Sequence, residues 1–90
     1  MIRLSLAELA EITNGRVIGD SSVEVFAGVE TDSRRVETGY LFVAKPGEVT
    51  DGHLFIGAAA AAGATAALVQ REVESDIPVV LVDDVVAALG

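Results

Sequence analysis

The sequence has no cysteine and no tryptophan. Disulfide bridges and thiolate metal sites are therefore excluded. Aromatics are scarce, three Phe and one Tyr, so any core has to be packed from small aliphatic side chains. Positive charge is also scarce: six Lys and Arg stand against fourteen Asp and Glu, a formal net charge of -8. A general nucleic-acid binder needs a cationic stripe to neutralise phosphates, so that role is excluded, while one local phosphate contact is not. No apolar run suits a bilayer; the longest bland stretch, 56–68, is short and broken by Gly63. The opening residues, Met1 to Ser5, lack the apolar segment of a secretion signal, so neither export nor membrane insertion is expected.

What is present is material for one small domain. Ninety residues, 51% of them hydrophobic and largely Ala and Val, can build a finely packed core with a thin stability margin. Ser5 followed by Glu8 has capping-box spacing, and Leu6, Leu9, Ala10 and Ile12 recur on one helical face, which predicts a helix over 5–13 stopped by Asn14-Gly15. Residues 16–19 read as a short strand, Asp20-Ser21-Ser22 as a turn and 23–27 as a second strand broken at Gly28. Residues 29–31 read as extended chain entering a polar loop, Asp32-Ser33-Arg34-Arg35. After a turn at 36–39, the apolar run Tyr40 to Ala44 has the mark of a strand covered on both faces. Pro46 ends it.

Asp51 stands at an N-cap position before a helix over 52–62, with Phe55, Ile56 and Ala59 expected inward and Gly63 at its C′ position. Ala66 to Val69 and Val79 to Val82 read as buried strands. Asp83 or Asp84 then caps a further helical pattern that is unfinished at Gly90, as expected of a longer protein cut at a domain edge. The segment 41–69 fits a βαβ unit with parallel strands. The expectation is an α/β fold with two polar loops at the ends of neighbouring strands.

Those loops carry the candidate chemistry. Thr31-Asp32-Ser33-Arg34-Arg35 places two hydroxyls, a carboxylate and two guanidiniums after a strand, where ligands of open α/β sheets bind. Arg can fork onto phosphate oxygens. The alternative is a surface turn in which Asp32 caps its own backbone. The second loop, Lys45 to His53, runs into a helix N-terminus and is either an anion site or an ordinary connection with Asp51 as cap. It has no Gly-Lys-Ser/Thr, so it is not a Walker A loop. His53, the single histidine, has no second metal ligand beside it and reads as structural or surface. Asp83-Asp84 reads as a helix cap plus a solvated charge rather than a Mg²⁺ site. No Ser/His/Asp set supports nucleophilic catalysis, so no catalytic residue is assigned.

Taken in order, Val29 to Val36, Gly39 to Ala44, Gly47-Glu48, Asp51-Gly52-His53-Leu54-Phe55, Ala58-Ala59 and Gly63-Ala64 resemble the N-terminal domain of Mur ligases of the MurE/MurF group. The likeness extends to Leu4 to Leu9 and to Val82-Asp83-Asp84. It implies a small mixed, partly parallel sheet with helices packed on it. It also implies that 1–90 is a single UDP-substrate-binding domain, with the central ATP-binding and C-terminal domains absent. Gly47-Glu48 followed by Asp51-Gly52-His53 has the form of the branch that adds D-Ala-D-Ala to UDP-MurNAc-tripeptide. The alternatives are the branch that adds a diamino acid to UDP-MurNAc-dipeptide, which carries Gly-His-Gln-x-Asp-Gly here, and a non-catalytic interaction module.

The implied reaction is cytoplasmic, ATP-dependent amide formation in peptidoglycan synthesis. ATP and Mg²⁺ belong to the full-length enzyme, with no cofactor in this fragment, which is expected to be inactive alone. The implied partners are UDP-MurNAc-tripeptide and the missing domains. By motif position Thr31 and Ser33 contact the uridine diphosphate end, with Asp32 in the same loop. Gly47, Glu48, Val49 and Thr50 fall in the loop that reaches the uracil, although Glu48 and Val49 replace the His-Gln pair. Arg34 and Lys45 are added on physical grounds, as the nearest cations to a diphosphate. They have Asp32, Glu48 and Asp51 as competing partners.

Overall fold

The computed structural model describes residues 3–45 and 55–89. The chain opens with β1 (Leu4–Ser5), which leads directly into α1 (Leu6–Thr13). The Ser5 hydroxyl accepts the Glu8 N–H at 3.2 Å, and the Glu8 carboxylate accepts the Ser5 N–H at 3.1 Å, so the predicted capping box is present. Asn14 ends the helix in the left-handed conformation, φ 57°. Leu6 is fully buried, with Leu9 and Ala10 packed beside it. Ile12 was expected on that face but is 69% exposed. At 100° per residue it lies about 120° round the helix from Leu6, outside the buried stripe.

β2 (Arg16–Ile18) follows, then β3 (Glu24–Val25), which pairs antiparallel with β1 in a two-stranded ribbon the sequence did not announce. β3 is shorter than the expected 23–27. β4 (Gly28–Glu30) begins at the glycine expected to break the strand pattern. The Tyr40 ring lies where it would meet a Cβ on Gly28 at 3.2 Å, so the missing side chain is what lets the aromatic cover this strand. A single 3₁₀ turn (Ser33–Arg35), β5 (Tyr40–Val43), α2 (Ile56–Ala61), β6 (Ala66–Val69), β7 (Val79–Leu81) and α3 (Val85–Leu89) complete the chain.

The main sheet has the order β2-β7-β6-β5-β4. β4, β5, β6 and β7 run parallel, and β2 joins β7 antiparallel, so the sheet is mixed and mostly parallel. Strand alternation divides the core in two. On one face Leu41, Val43, Ala66, Leu68, Val80 and Val82 pack against Leu6 of α1 and Val85 of α3. On the other Phe42, Ala44, Ala67, Val69 and Val79 pack against Ile56 and Ala59 of α2 and against Val36. Coverage of β5 and β6 on both faces explains their unbroken apolar runs.

Phe55, expected inward, is 40% exposed: it sits at the N-cap of α2, before the first helical residue and off the buried stripe. Ile56 and Ala59 are buried as expected. Gly63 takes φ +115° just beyond the Ala62 C-cap, the C′ role read from its position. The proposed cap Asp51 and the predicted helical turn at 52–54 lie outside the described residues.

Candidate functional site

The parallel pairing of β4 with β5 decides where the polar loops emerge. Glu30 is in register with Phe42, so Thr31 leaves the sheet beside Val43 and Ala44, and Lys45 follows on the next strand. Adjacent strands lie about 4.8 Å apart, so the two loops share one carboxyl edge. Ligands of open α/β sheets bind at this edge.

The first loop is tightly self-bonded. The Glu30 carboxylate accepts the Asp32 N–H at 3.1 Å. Asp32 Oδ1 accepts the Arg34 N–H at 2.9 Å and Arg34 Nε–H at 3.1 Å, while Oδ2 accepts Nη2–H at 3.0 Å. The Asp32 carbonyl accepts the Arg35 N–H at 3.0 Å and closes the 3₁₀ turn. Buried Val36 then anchors the exit of the loop under α2. The Arg34 side chain and N–H together hold the Asp32 carboxyl down at about 2, and Asp32 in turn raises the Arg34 guanidinium. Asp32 thus caps its own loop, as the turn reading expected, and of the partners open to Arg34 it takes Asp32.

Thr31 and Ser33 are left different. Neither hydroxyl hydrogen-bonds to a described residue; Thr31 is exposed and Ser33 half-buried. Arg35 and Lys45 are exposed and form no ion pair with a described residue. Half the chain's six cations, Arg34, Arg35 and Lys45, stand on the two loops of this edge. With Arg34 engaged by Asp32, the charge open to an anion is carried by Arg35 and Lys45. Thr31, Asp32, Ser33, Arg34 and Lys45 therefore stand on the two loops of one sheet edge, while Gly47, Glu48, Val49, Thr50 and His53 lie outside the described residues.

Sequence reasoning passed over Glu30. A carboxylate at the last residue of a strand, two before a turn, was the available signal, because that spacing lets it take the turn's first N–H. It also passed over Gln70, whose Oε1 accepts the Val85 N–H at 3.1 Å and helps start α3. Asp84 caps α3 by accepting the Ala87 N–H at 3.2 Å, which agrees with the cap reading. A hollow of about 550 Å³, lined by Ile12, Asn14, Val82, Asp83, Asp84 and Ala88 among others, opens at the β7 and β2 end of the sheet, away from the Thr31 loop. No group of three or more His, Cys, Asp or Glu is placed for a metal ion among the described residues. No helix of the described residues is long and apolar enough to cross a membrane.

A mostly parallel sheet covered by helices, with hydroxyls and cations at the carboxyl ends of neighbouring strands, makes this an α/β domain of the kind whose ligands bind at that edge. Residues 25–88 match the model of the Mur ligase family, catalytic domain, and the chain belongs to that family. It is similar to the UDP-N-acetylmuramoyl-tripeptide–D-alanyl-D-alanine ligase of Haemophilus influenzae, 40% identical over 91 residues, covering 100% of the chain and 20% of the relative. It is also similar to the UDP-N-acetylmuramoyl-L-alanyl-D-glutamate–2,6-diaminopimelate ligase of Aquifex aeolicus, 46% identical over 63 residues but covering 70% of the chain and 13% of the relative. The solved structure of MurF from Acinetobacter baumannii superposes with a TM-score of 0.86 and 31% identity, covering 99% of the chain and 20% of that protein. The chain thus spans about a fifth of the length of the ligases it matches along its whole extent. The likeness to the MurE/MurF group read from the loops is borne out, and whole-chain coverage places it with MurF.

Proposed function

We propose that this chain holds the UDP end of UDP-MurNAc-tripeptide in a MurF-type ligase that adds D-Ala-D-Ala in peptidoglycan precursor synthesis. The observation that carries the reading is the shared carboxyl edge of β4 and β5. It carries the loop of Thr31 and Ser33, whose hydroxyls bond no described residue, and the loop that starts at Lys45, in a chain that matches MurF from end to end. Hydroxyls donate to diphosphate oxygens, and the cations offset its charge in a chain otherwise strongly acidic. The proposed contact set is Thr31, Ser33, Lys45 and the 47–50 loop (Gly47, Glu48, Val49, Thr50), with Asp32 and Arg34 as a charged pair that alternates with the two hydroxyls along the chain.

In this reading residues 1–90 are one substrate-binding domain of a cytoplasmic enzyme, and the ATP-binding and C-terminal domains are its partners. The described residues do not fit ATP or Mg²⁺. The sequence has no Gly-Lys-Ser/Thr loop, and the described residues have no cluster of metal-ligating side chains. Phosphoryl activation of the substrate carboxylate is therefore assigned to the rest of the ligase, and the 90-residue chain alone is inactive.

The test is a ¹H–¹⁵N titration of the chain with UDP and with UDP-MurNAc-tripeptide. Resonances of Thr31 to Arg35 and of 47–50 shift, and Ser33→Ala weakens UDP binding roughly ten- to a hundredfold, the loss of one hydrogen bond to a charged group. Saturating nucleotide substrate that moves neither loop would sink the proposal. In a ligase carrying this chain, Ser33→Ala raises the KM for the nucleotide substrate, whereas an interaction module would leave it unchanged.

A further inference from the structure

The Thr31–Arg35 loop alternates in a way that nucleotide holding alone does not require. Its odd positions, Thr31 and Ser33, keep their hydroxyls free of described partners, and its even positions, Asp32 and Arg34, are bound to one another. Asp32 makes three bonds to Arg34, one to its backbone and two to its guanidinium. The Asp32 N–H is itself held by Glu30. The segment from Glu30 to Arg35 is therefore pinned at its start by Glu30, at its middle by the Asp32 carboxylate and at its end by the Arg35 N–H bond to the Asp32 carbonyl.

We propose that Asp32 is a positioning residue for the nucleotide site: its carboxylate fixes the turn that aims the Thr31 and Ser33 hydroxyls, and Arg34 serves that carboxylate instead of the ligand. This deepens the UDP-holding reading and rests on it. A free turn of this size would sample many backbone states, and each hydroxyl bond to the ligand would first have to offset that ordering cost. The pinned turn has been ordered before the ligand arrives, which is how preorganisation raises affinity. An anionic side chain beside a diphosphate would otherwise oppose binding. Its charge is met here at 3.0 Å by the guanidinium.

The experiment compares five forms of the chain, wild type, Asp32→Ala, Asp32→Asn, Arg34→Gln and the Asp32→Asn/Arg34→Gln double variant, titrated with UDP by NMR. Asp32→Ala loses the cap and weakens UDP about fivefold, the size of one lost N-cap bond. Asp32→Asn keeps an oxygen for the Arg34 N–H and recovers binding to within about twofold of wild type. Arg34→Gln keeps the backbone cap but leaves the Asp32 charge unmet and weakens UDP binding, and adding Asp32→Asn to it restores binding to within about twofold of wild type, because the repelling charge is then gone. The Arg34 Nε–H resonance, shifted by its carboxylate partner in the wild type, moves to the free-guanidinium position in Asp32→Ala, a readout independent of ligand. Core resonances of Leu41 and Leu68 report that each form is folded.

Wild-type binding matched by Asp32→Ala would overturn the positioning role and leave the holding function intact. Failure of Asp32→Asn to rescue Arg34→Gln would make Arg34 a phosphate contact and overturn it likewise. A wild-type chain that ignores UDP would remove the holding reading, and this inference with it.

Discussion

At the residue scale, the Asp32–Arg34 pair is the feature with the clearest electrostatic signature. The Asp32 carboxyl lies at about 2 instead of 3.8 because the Arg34 side chain and N–H bond its ionised form. The folded state thus favours the charged carboxylate. The stabilisation is complete above about pH 4 and disappears as pH falls through about 2. A carboxyl-carbon NMR titration should show Asp32 with a midpoint near 2. In Arg34→Gln the midpoint rises toward 3.8 but stays below it, since the bond from the residue-34 N–H persists. An unchanged midpoint in that variant would show that the guanidinium is not the cause.

Residue type and position made part of this loop legible. A carboxylate two residues before an N–H in a polar turn reads as a cap, and Asp32 is one. The guanidinium's engagement with Asp32 was not legible, because carboxylates in both loops competed for it in the sequence and only the folded backbone fixes distances.

At the element scale, α1 stands on its capping box. Ser5→Ala removes the acceptor for the Glu8 N–H and should cost about 1 kcal/mol in chemical denaturation. α2 offers a sharper contrast through two glycines. Gly57 lies within the helix with open space where a Cβ would stand, so Gly57→Ala should stabilise by roughly 0.5–1 kcal/mol. Gly63 has φ +115°, and a Cβ there would meet the Thr38 backbone at 2.8 Å, so Gly63→Ala should destabilise by about 2 kcal/mol or more. Equal effects from the two substitutions in thermal melts would refute this account of the α2 end.

Elements with local signals were read well, and those that depend on distant partners were not. Ser5, Asn14 and Gly63 announce helix ends through their own backbone preferences. Gly28 announces a break by the same logic, yet it opens β4, because pairing with Tyr40 of β5 supplies what its own propensity lacks. β1 is two residues long and exists only through its pairing with β3.

At the scale of the whole molecule, one mostly parallel sheet separates two small cores built of Val, Leu and Ala, with Phe42 the one aromatic buried in them among the described residues. Leu68 is 1% exposed on the central strand β6, among Leu6, Leu41, Val43 and Val80 of one core. Leu68→Ala should cost about 2–5 kcal/mol, a large part of the 5–15 kcal/mol typical of a domain. Urea unfolding measures it, and a loss below 1 kcal/mol would mean that the core collapses around the gap.

The sequence by itself determined the α/β class, the strand runs of β5, β6 and β7, the capped helix α1 and the composition of both polar loops. Each of these follows from periodicity, capping chemistry or side-chain type, which are properties of neighbours in the chain. Only the tertiary structure decided the strand order, the antiparallel seat of β2 on β7 and the emergence of Thr31 beside Lys45 at one edge. These depend on which surfaces bury each other across tens of residues, and local preference carries no record of that. The same holds for the loop at the centre of the site. Its residues were in plain view, but the division into hydroxyls left free and charges bound to each other exists only once the backbone has turned.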